Sequence, residues 1–398
     1  MKNEITIPQY VEWQITAQCN LNCIHCVATH RAPQNDLSTP AAISLVHELL
    51  DQNIKSITLT GGEPLLRSDF ELLAEILKEN NVSVQVISNG LALDEKRAQQ
   101  LARLGINFVW LNLDGPRQTH NAIRQHPDAF DKVLNAASLL EKMAVPYGFM
   151  TTLLSTNYDQ IGALGEIVQT TSSALWQIWL GNKCNNAPIW PTVKQIQQII
   201  QELLLLRTTI PQLIIGDNIG YSSPLEALRM PNFPECCSSA RFTGCYGAKT
   251  IVGILNDGSI KGCLSMPDEG NVATPEEYAT LSERYRQAAK LHHESVNRAL
   301  RQCRGCTSTE ECNGGCPAWA ITSGEAASHR FCYIPPTQSP RQTLCASALS
   351  ASLITLCTLA TPGCHTATTA HPSGPTTETD ASAPLEFIES VTSEINKK

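Results

Sequence analysis

From Val11 to about Gly181 the chain alternates short runs rich in β-branched and aromatic residues with longer amphipathic stretches. The short runs predict strands over 11–16, 56–60, 82–88, 106–112, 145–153 and 174–180. Between and after them, apolar residues recur at helical spacing over 40–53, 69–80, 94–104, 129–143, 158–170 and 193–206. Strands alternating with helices in this way predict a parallel sheet with crossover connections.

Candidate chemistry collects where strands end. The first strand runs into Cys19, Cys23 and Cys26, spaced C-x3-C-x2-C. Three thiolates at that spacing can hold three irons of a 4Fe-4S cube, which normally takes four cysteines. One iron is then open to a substrate or cofactor. Zinc is the competing occupant, with His25 or His30 completing the set. After the second strand comes Thr60-Gly61-Gly62-Glu63-Pro64, where two glycines let the backbone approach a ligand and a carboxylate can accept from an ammonium group. The third and fourth strands end in Ile87-Ser88-Asn89-Gly90 and Leu111-Asn112-Leu113-Asp114-Gly115-Pro116. Function at the C-terminal ends of successive strands is the habit of barrel-type α/β enzymes. An open doubly wound sheet has the same periodicity.

C-x3-C-x2-C on the first strand-loop together with GGEP on the second resembles the radical S-adenosylmethionine (SAM) superfamily. The resemblance implies a partial (β/α)6 TIM-like barrel. It implies that SAM chelates the open iron through its amino and carboxylate groups, and that Gly61, Gly62 and Glu63 meet its amino acid end. Ser88, Asn89 and Asp114 would contact the nucleoside. Reductive cleavage of SAM would give methionine and a 5'-deoxyadenosyl radical that abstracts hydrogen from a substrate, with the cofactor supplying the hard chemistry. The electron would come from an external donor of flavodoxin or ferredoxin type.

Length allows two domains, and the net charge of -8 with few basic clusters argues against a nucleic-acid partner. The N-terminal residues do not read as a signal peptide, so the expected location is the cytoplasm. Sixteen cysteines then need an explanation other than disulfides. Nine of them fall between Cys236 and Cys332. Cys245 is followed by twelve residues, Gly258, four residues and Cys263; then come Cys303-x2-Cys306-x5-Cys312-x3-Cys316 and finally Cys332. Asn256-Asp257-Gly258 is a hairpin-turn signal that would bring Cys245 and Cys263 together at the hairpin's base. The run from Cys303 to Cys316 has little apolar periodicity and needs something other than a core to hold it; a zinc knuckle is one alternative.

This seven-cysteine series resembles the SPASM domain of radical SAM peptide-modifying enzymes. The resemblance implies two auxiliary 4Fe-4S clusters, one on Cys303, Cys306, Cys312 and Cys332, the other on Cys245, Cys263, Cys316 and an upstream cysteine. Of the adjacent Cys236 and Cys237 only one can ligate; Cys237 stands for the pair in the expected set, and the spacing leaves the choice open. The organisation expected is a barrel over 1–215, a cysteine-rich SPASM domain over 216–336, and a tail over 337–398. Cys184, past the sixth strand, is either a pocket residue or a structural thiol.

The tail lacks Asp, Glu, Lys and Arg from 342 to 377. A disordered appendage, a fused substrate-like segment offering Cys345, Cys357 and Cys364, and a membrane-contacting segment compete for it. The expected function is modification of a peptide or small protein. No peptide-binding domain is read before Val11, so recognition is expected to use a separate protein. A tetrapyrrole or other small cofactor precursor is the alternative substrate. A non-catalytic multicluster electron carrier is the alternative to an enzyme, and GGEP argues against it.

Overall fold

Strand β1 (Tyr10–Thr16) alternates, with Val11, Trp13 and Ile15 fully buried on one face and the polar Gln14 and Thr16 nearly so on the other. A strand buried on both faces reads as a central strand of a parallel sheet. In the computed structural model, which describes residues 7–26, 35–181, 189–216, 218–219, 244–300, 303 and 314–322, β1 indeed has neighbours on both edges, each parallel to it.

Helix α1 (Thr39–Asp51) starts where the Ser38 hydroxyl accepts the Ala41 N–H and Pro40 occupies the first turn. There follow β2 (Ser56–Gly61), α2 (Phe70–Glu79), β3 (Ser83–Ser88), α3 (Glu95–Arg103), β4 (Phe108–Asn112), α4 (Arg117–Arg124), α5 (Ala129–Lys142) and β5 (Tyr147–Leu153). Next come α6 (Ile161–Gln169), β6 (Leu175–Leu180), α7 (Val193–Thr209) and β7 (Leu213–Ile215). Asp94 caps α3, and a reciprocal Thr192–Gln195 capping box opens α7.

Strand order is β7-β6-β5-β4-β3-β2-β1, followed on the far edge of β1 by β8 (Ile251–Ile254) and β9 (Ile260–Lys261). Every pair is parallel except β8 with β9. A doubly wound sheet reverses its strand order at a switch point; the seven strands of this run do not reverse, and the architecture is a partial TIM-like barrel. The expected hairpin is present, but β8 pairs with Tyr10 through Trp13 of β1 and so extends the barrel sheet itself. Helix α8 (Leu281–Leu300) and the short α9 (Pro317–Thr322) pack beyond it. No helix among the described residues is long and apolar enough to cross a membrane.

Four elements escape the hydrophobic pattern: β7, α4, α8 and α9. Strand β7 is only three residues long. Helix α4, Arg-Gln-Thr-His-Asn-Ala-Ile-Arg, buries His120 and Arg124 alongside Ile123, so its inward face is mostly polar and leaves no apolar stripe to read. Cys184, Cys236, Cys237, Cys306, Cys312, Cys332, His30 and the 337–398 tail lie outside the described residues.

The start of the cysteine loop is clamped by buried polar groups. Arg67 donates to the Ile15 carbonyl (2.5 Å) and the Leu37 carbonyl (2.9 Å) while paired with Asp69. Asp36 accepts from the Thr16 hydroxyl (2.5 Å), the Ala17 N–H (2.8 Å) and Asn256 Nδ2 in the hairpin turn (2.9 Å). Removing one partner of a buried ion pair leaves the other uncompensated, at a cost of about 3–5 kcal/mol. Arg67→Met is expected to lose stability on that scale, read from the midpoint of urea unfolding against wild type.

Candidate active site

The loop after β1 is built by its neighbours as much as by its own sequence. The Gln18 N–H bonds the Thr16 hydroxyl (3.0 Å), the Cys26 N–H the Cys23 carbonyl (3.2 Å), and the Ile24 N–H the Ile123 carbonyl at the end of α4 (3.0 Å). From the end of β2, Gly62 N–H donates to the Thr16 carbonyl and Glu63 N–H to the Gln18 carbonyl, both at 2.8 Å. A Cβ on Gly61 would stand 2.3 Å from the Thr16 carbonyl oxygen, and one on Gly62 would stand 2.2 Å from that of Gln18. Gly61 also has φ of +145°. The glycine pair is therefore required for the cysteine loop to lie against β2. The sequence had suggested close approach of a ligand; here the approaching group is the chain's own backbone.

Glu63 is fully buried, and its carboxylate accepts from Leu65 N–H (3.2 Å), the Ser88 hydroxyl (2.9 Å) and Asn89 N–H (2.8 Å). Burial pushes its pKa up to about 7 against the lowering effect of those donors. Asn89 extends Nδ2 to Asn20 Oδ1 (2.8 Å) and toward the Cys19 sulfur (3.8 Å). The ends of β2 and β3 are thus tied to each other and to the cysteine loop.

Asp114, at the end of β4, is also fully buried. Its Oδ2 receives Arg124 through Nε (2.7 Å) and Nη2 (2.6 Å), and its Oδ1 receives the Thr152 N–H (2.9 Å). The Asp114 carbonyl accepts from Asn157 Nδ2 (2.6 Å) and its N–H donates to His120 Nδ1 (3.0 Å). That bond needs a neutral imidazole, and burial lowers the His120 pKa to about 4. Burial acts to raise the Asp114 carboxyl, but Arg124 together with His25, His120 and the Thr152 N–H holds it below its ordinary value. Arg124 also points Nη1 at the Cys23 sulfur, 3.8 Å away. Ser88, Asn89 and Asp114, expected at the nucleoside, are all engaged with protein groups around the cysteine loop. Arg124, His120, Asn157 and Asp36 were not singled out by the sequence. Their only signal was their place after a strand end or in a polar helix.

The chemistry of the donor set, three thiols on one loop with an amide and a guanidinium beside two of them, suits an iron-sulfur centre. Cys19 is pushed up to about 11 chiefly by burial, with Glu63, Cys23 and Cys26 adding to the rise, and burial raises Cys23 as well. Thiols in this setting become thiolates when a cationic centre compensates them, and the Asn89 amide and Arg124 guanidinium stand ready beside two of the sulfurs. Among the described residues, no three His, Cys, Asp or Glu side chains are close enough to share a single metal ion.

Residues 13–166 match the family described as the radical SAM superfamily. These residues form a radical SAM domain. Over 334 residues the chain is 23% identical to mycofactocin maturase MftC of Mycolicibacterium smegmatis, covering 80% of each protein. It is 30% identical over 161 residues to Fe-coproporphyrin III synthase of Methanosarcina barkeri, where the match spans 40% of this chain and 40% of that relative. Among solved structures, anSMEcpe with bound AdoMet and the Cp18Cys peptide superimposes with a TM-score of 0.62 at 19% identity, covering 79% of this chain and 90% of that one. The shared fold therefore extends well beyond residue 166, past the end of the radical SAM domain. A 4Fe-4S cluster and SAM are the cofactors the family implies.

Beyond the radical SAM domain, Cys245 lies on a turn whose Ala248 N–H bonds the Gly262 carbonyl (2.8 Å), next to Cys263. The Cys245 sulfur receives the Gly247 N–H (3.3 Å) and stands 3.3 Å from His292 Nε2 on α8. A Cβ on Gly247 or Gly262 would come within 2.5 Å of the His292 ring, so two glycines make room for one buried histidine. Cys303 and Cys316 are partly exposed.

Two outcomes are expected from the glycine contact and the buried carboxylate. Gly62→Ala should displace the cysteine loop, costing about 1–3 kcal/mol in overpacking and lowering iron uptake on reconstitution. In the cluster-free protein, a proton that Glu63 keeps when folded and gives up when unfolded makes stability fall as pH rises from about 4.5 to about 7. Chemical unfolding across that window should show the slope in wild type and a flatter one in Glu63→Gln.

Proposed function

We propose that this chain is a radical SAM enzyme that modifies a peptide or small protein. The observation that carries the reading is the joining of the three-cysteine loop to the Gly61-Gly62-Glu63 segment and to Asn89, which assembles one site from the ends of β1, β2 and β3. Cys19, Cys23 and Cys26 hold a 4Fe-4S cluster. When bound, that cluster supplies the electron that cleaves SAM to methionine and a 5'-deoxyadenosyl radical able to abstract hydrogen from the substrate. Gly61, Gly62 and Glu63 line the amino acid end of SAM. Ser88, Asn89 and Asp114 belong to the floor beneath its nucleoside, where they fix the cysteine loop. Burial of Glu63, Asp114 and His120 in hydrogen-bonded positions keeps this floor rigid and excludes water from behind the loop.

The peptide reading is supported by the similarity to a mycofactocin maturase, which runs through 80% of both chains and so includes the region after the barrel. That region is proposed as a SPASM domain over 216–336 with two auxiliary clusters, on Cys237, Cys245, Cys263 and Cys316 and on Cys303, Cys306, Cys312 and Cys332. The Gly247 N–H on Cys245 Sγ supports a ligating thiolate there. The similarity to Fe-coproporphyrin III synthase over 40% of the chain, and to an AdoMet-dependent heme synthase over 83% of it, favours a second reading, a tetrapyrrole substrate. An external one-electron donor of flavodoxin or ferredoxin type and a separate peptide-recognition protein complete the proposal.

Anaerobic reconstitution is expected to load about twelve irons per chain, about four of them lost from Cys19→Ala. The reduced wild type should form 5'-deoxyadenosine from SAM and the variant should not; persistence of the product in Cys19→Ala would overturn the assignment. Mass spectrometry after turnover with a precursor peptide or with an iron porphyrin precursor separates the two substrate readings.

A further inference from the structure

Behind Cys23 lies an ion pair whose burial is costly and whose charge the proposed SAM contacts do not use. Arg124 and Asp114 are both buried, joined by two short bonds on Asp114 Oδ2. Taking two charges out of water costs several kcal/mol per ion before their attraction repays it, and an apolar pair would fill the same space. The pair is also directional. Asp114 turns Oδ1 to the Thr152 N–H, its backbone held by Asn157 and His120, while Arg124 turns Nη1 to the Cys23 sulfur at 3.8 Å. One residue earlier, the Ile123 carbonyl accepts the Ile24 N–H, so the end of α4 fixes the loop and aims the guanidinium in one stroke.

A cation beside a ligating sulfur favours the reduced, more negative state of an iron-sulfur centre, as do hydrogen bonds to that sulfur. A carboxylate one step further away tempers the effect. We propose that Arg124 sets the reduction potential of the cluster on Cys19, Cys23 and Cys26, with Asp114 as the counter-charge that positions and moderates it. The inference rests on the reading of those cysteines as cluster ligands. In the step concerned, one electron passes from the external donor to the cluster, and no covalent bond forms or breaks.

The test is redox potentiometry of the reconstituted full-length protein, following by EPR the reduced signal that changes on addition of SAM. Arg124→Gln leaves Asp114 without its counter-charge and should make reduction at least tenfold less favourable, a shift of about 59 mV to more negative potential. Asp114→Asn leaves the cation untempered and should shift the midpoint the opposite way. The double variant should return toward wild type. If Arg124→Gln holds too little iron to measure, Arg124→Lys, which keeps the charge, should load iron and stay within that interval while Asp114→Asn still moves upward. A purely structural clamp predicts shifts of one sign, or none, in both single variants, and that result overturns the proposal with the cluster reading intact. A SAM-sensitive signal that survives in Cys23→Ala overturns the cluster reading, and this inference with it.

Discussion

The close contact between two backbones, Gly61-Gly62 at the end of β2 and Thr16 to Gln18 at the end of β1, is the constraint on which the site depends. Carbonyl oxygens of the cysteine loop occupy the positions where Cβ atoms would stand. The N–H groups of Gly62 and Glu63 satisfy two of those carbonyls. Only with that approach made can Glu63 reach Ser88 and Asn89, and only then does Asn89 reach Asn20 and Cys19. A loop that would otherwise hold three thiols on a flexible turn becomes part of the barrel's rim. Loops carry function when a rigid scaffold positions them, and here the scaffold is the strand next door.

Underneath the rim the interior is polar, which is unusual for a barrel core and expensive unless every group is paired. Asp114 shows how the cost is met: its two carboxylate oxygens, its carbonyl and its N–H are all used. The partners come from α4, from β5 and from the turn after it, so the network ties two successive barrel units to one cysteine. A network of this kind has one arrangement that satisfies all its members. It therefore specifies the position of the loop more sharply than packing of Leu or Val would.

The sequence was most legible where apolar periodicity did the folding. The six strands and six helices it indicated are present within a few residues, because Trp13, Leu59, Val86, Leu111, Phe149 and Ile178 are buried and their neighbours pack with them. The cysteine triad and GGEP were legible as a candidate site, and the structure brings the two segments together. Arg124 was not, for a physical reason: the helix that carries it buries polar side chains, and periodicity counts only apolar ones. Asp36 and His292 were hidden likewise. Their meaning lies in partners 220 and 47 residues away, Asn256 and Cys245, and no local pattern announces such pairs.

Register, finally, separates two regions that composition alone would lump together as cysteine-rich. Strand β8 runs parallel to β1, with Ile251 opposite Tyr10. The turn bearing Cys245 precedes β8 and so sits toward the Tyr10 end, whereas Cys19, Cys23 and Cys26 come after Thr16 at the other. At about 3.3 Å per residue the length of β1 puts about 20 Å between those two ends. A centre on Cys245 could not share an iron, a sulfur or SAM with the first cluster; the two would communicate only by electrons or through a substrate lying between them. The same parallel pairing brings the opposite end of the hairpin, at Asn256, onto Asp36 and the start of the cysteine loop. The hairpin thus braces the catalytic rim with its turn while holding its own cysteine at a distance, and both results stem from the direction in which one four-residue strand was added to the sheet.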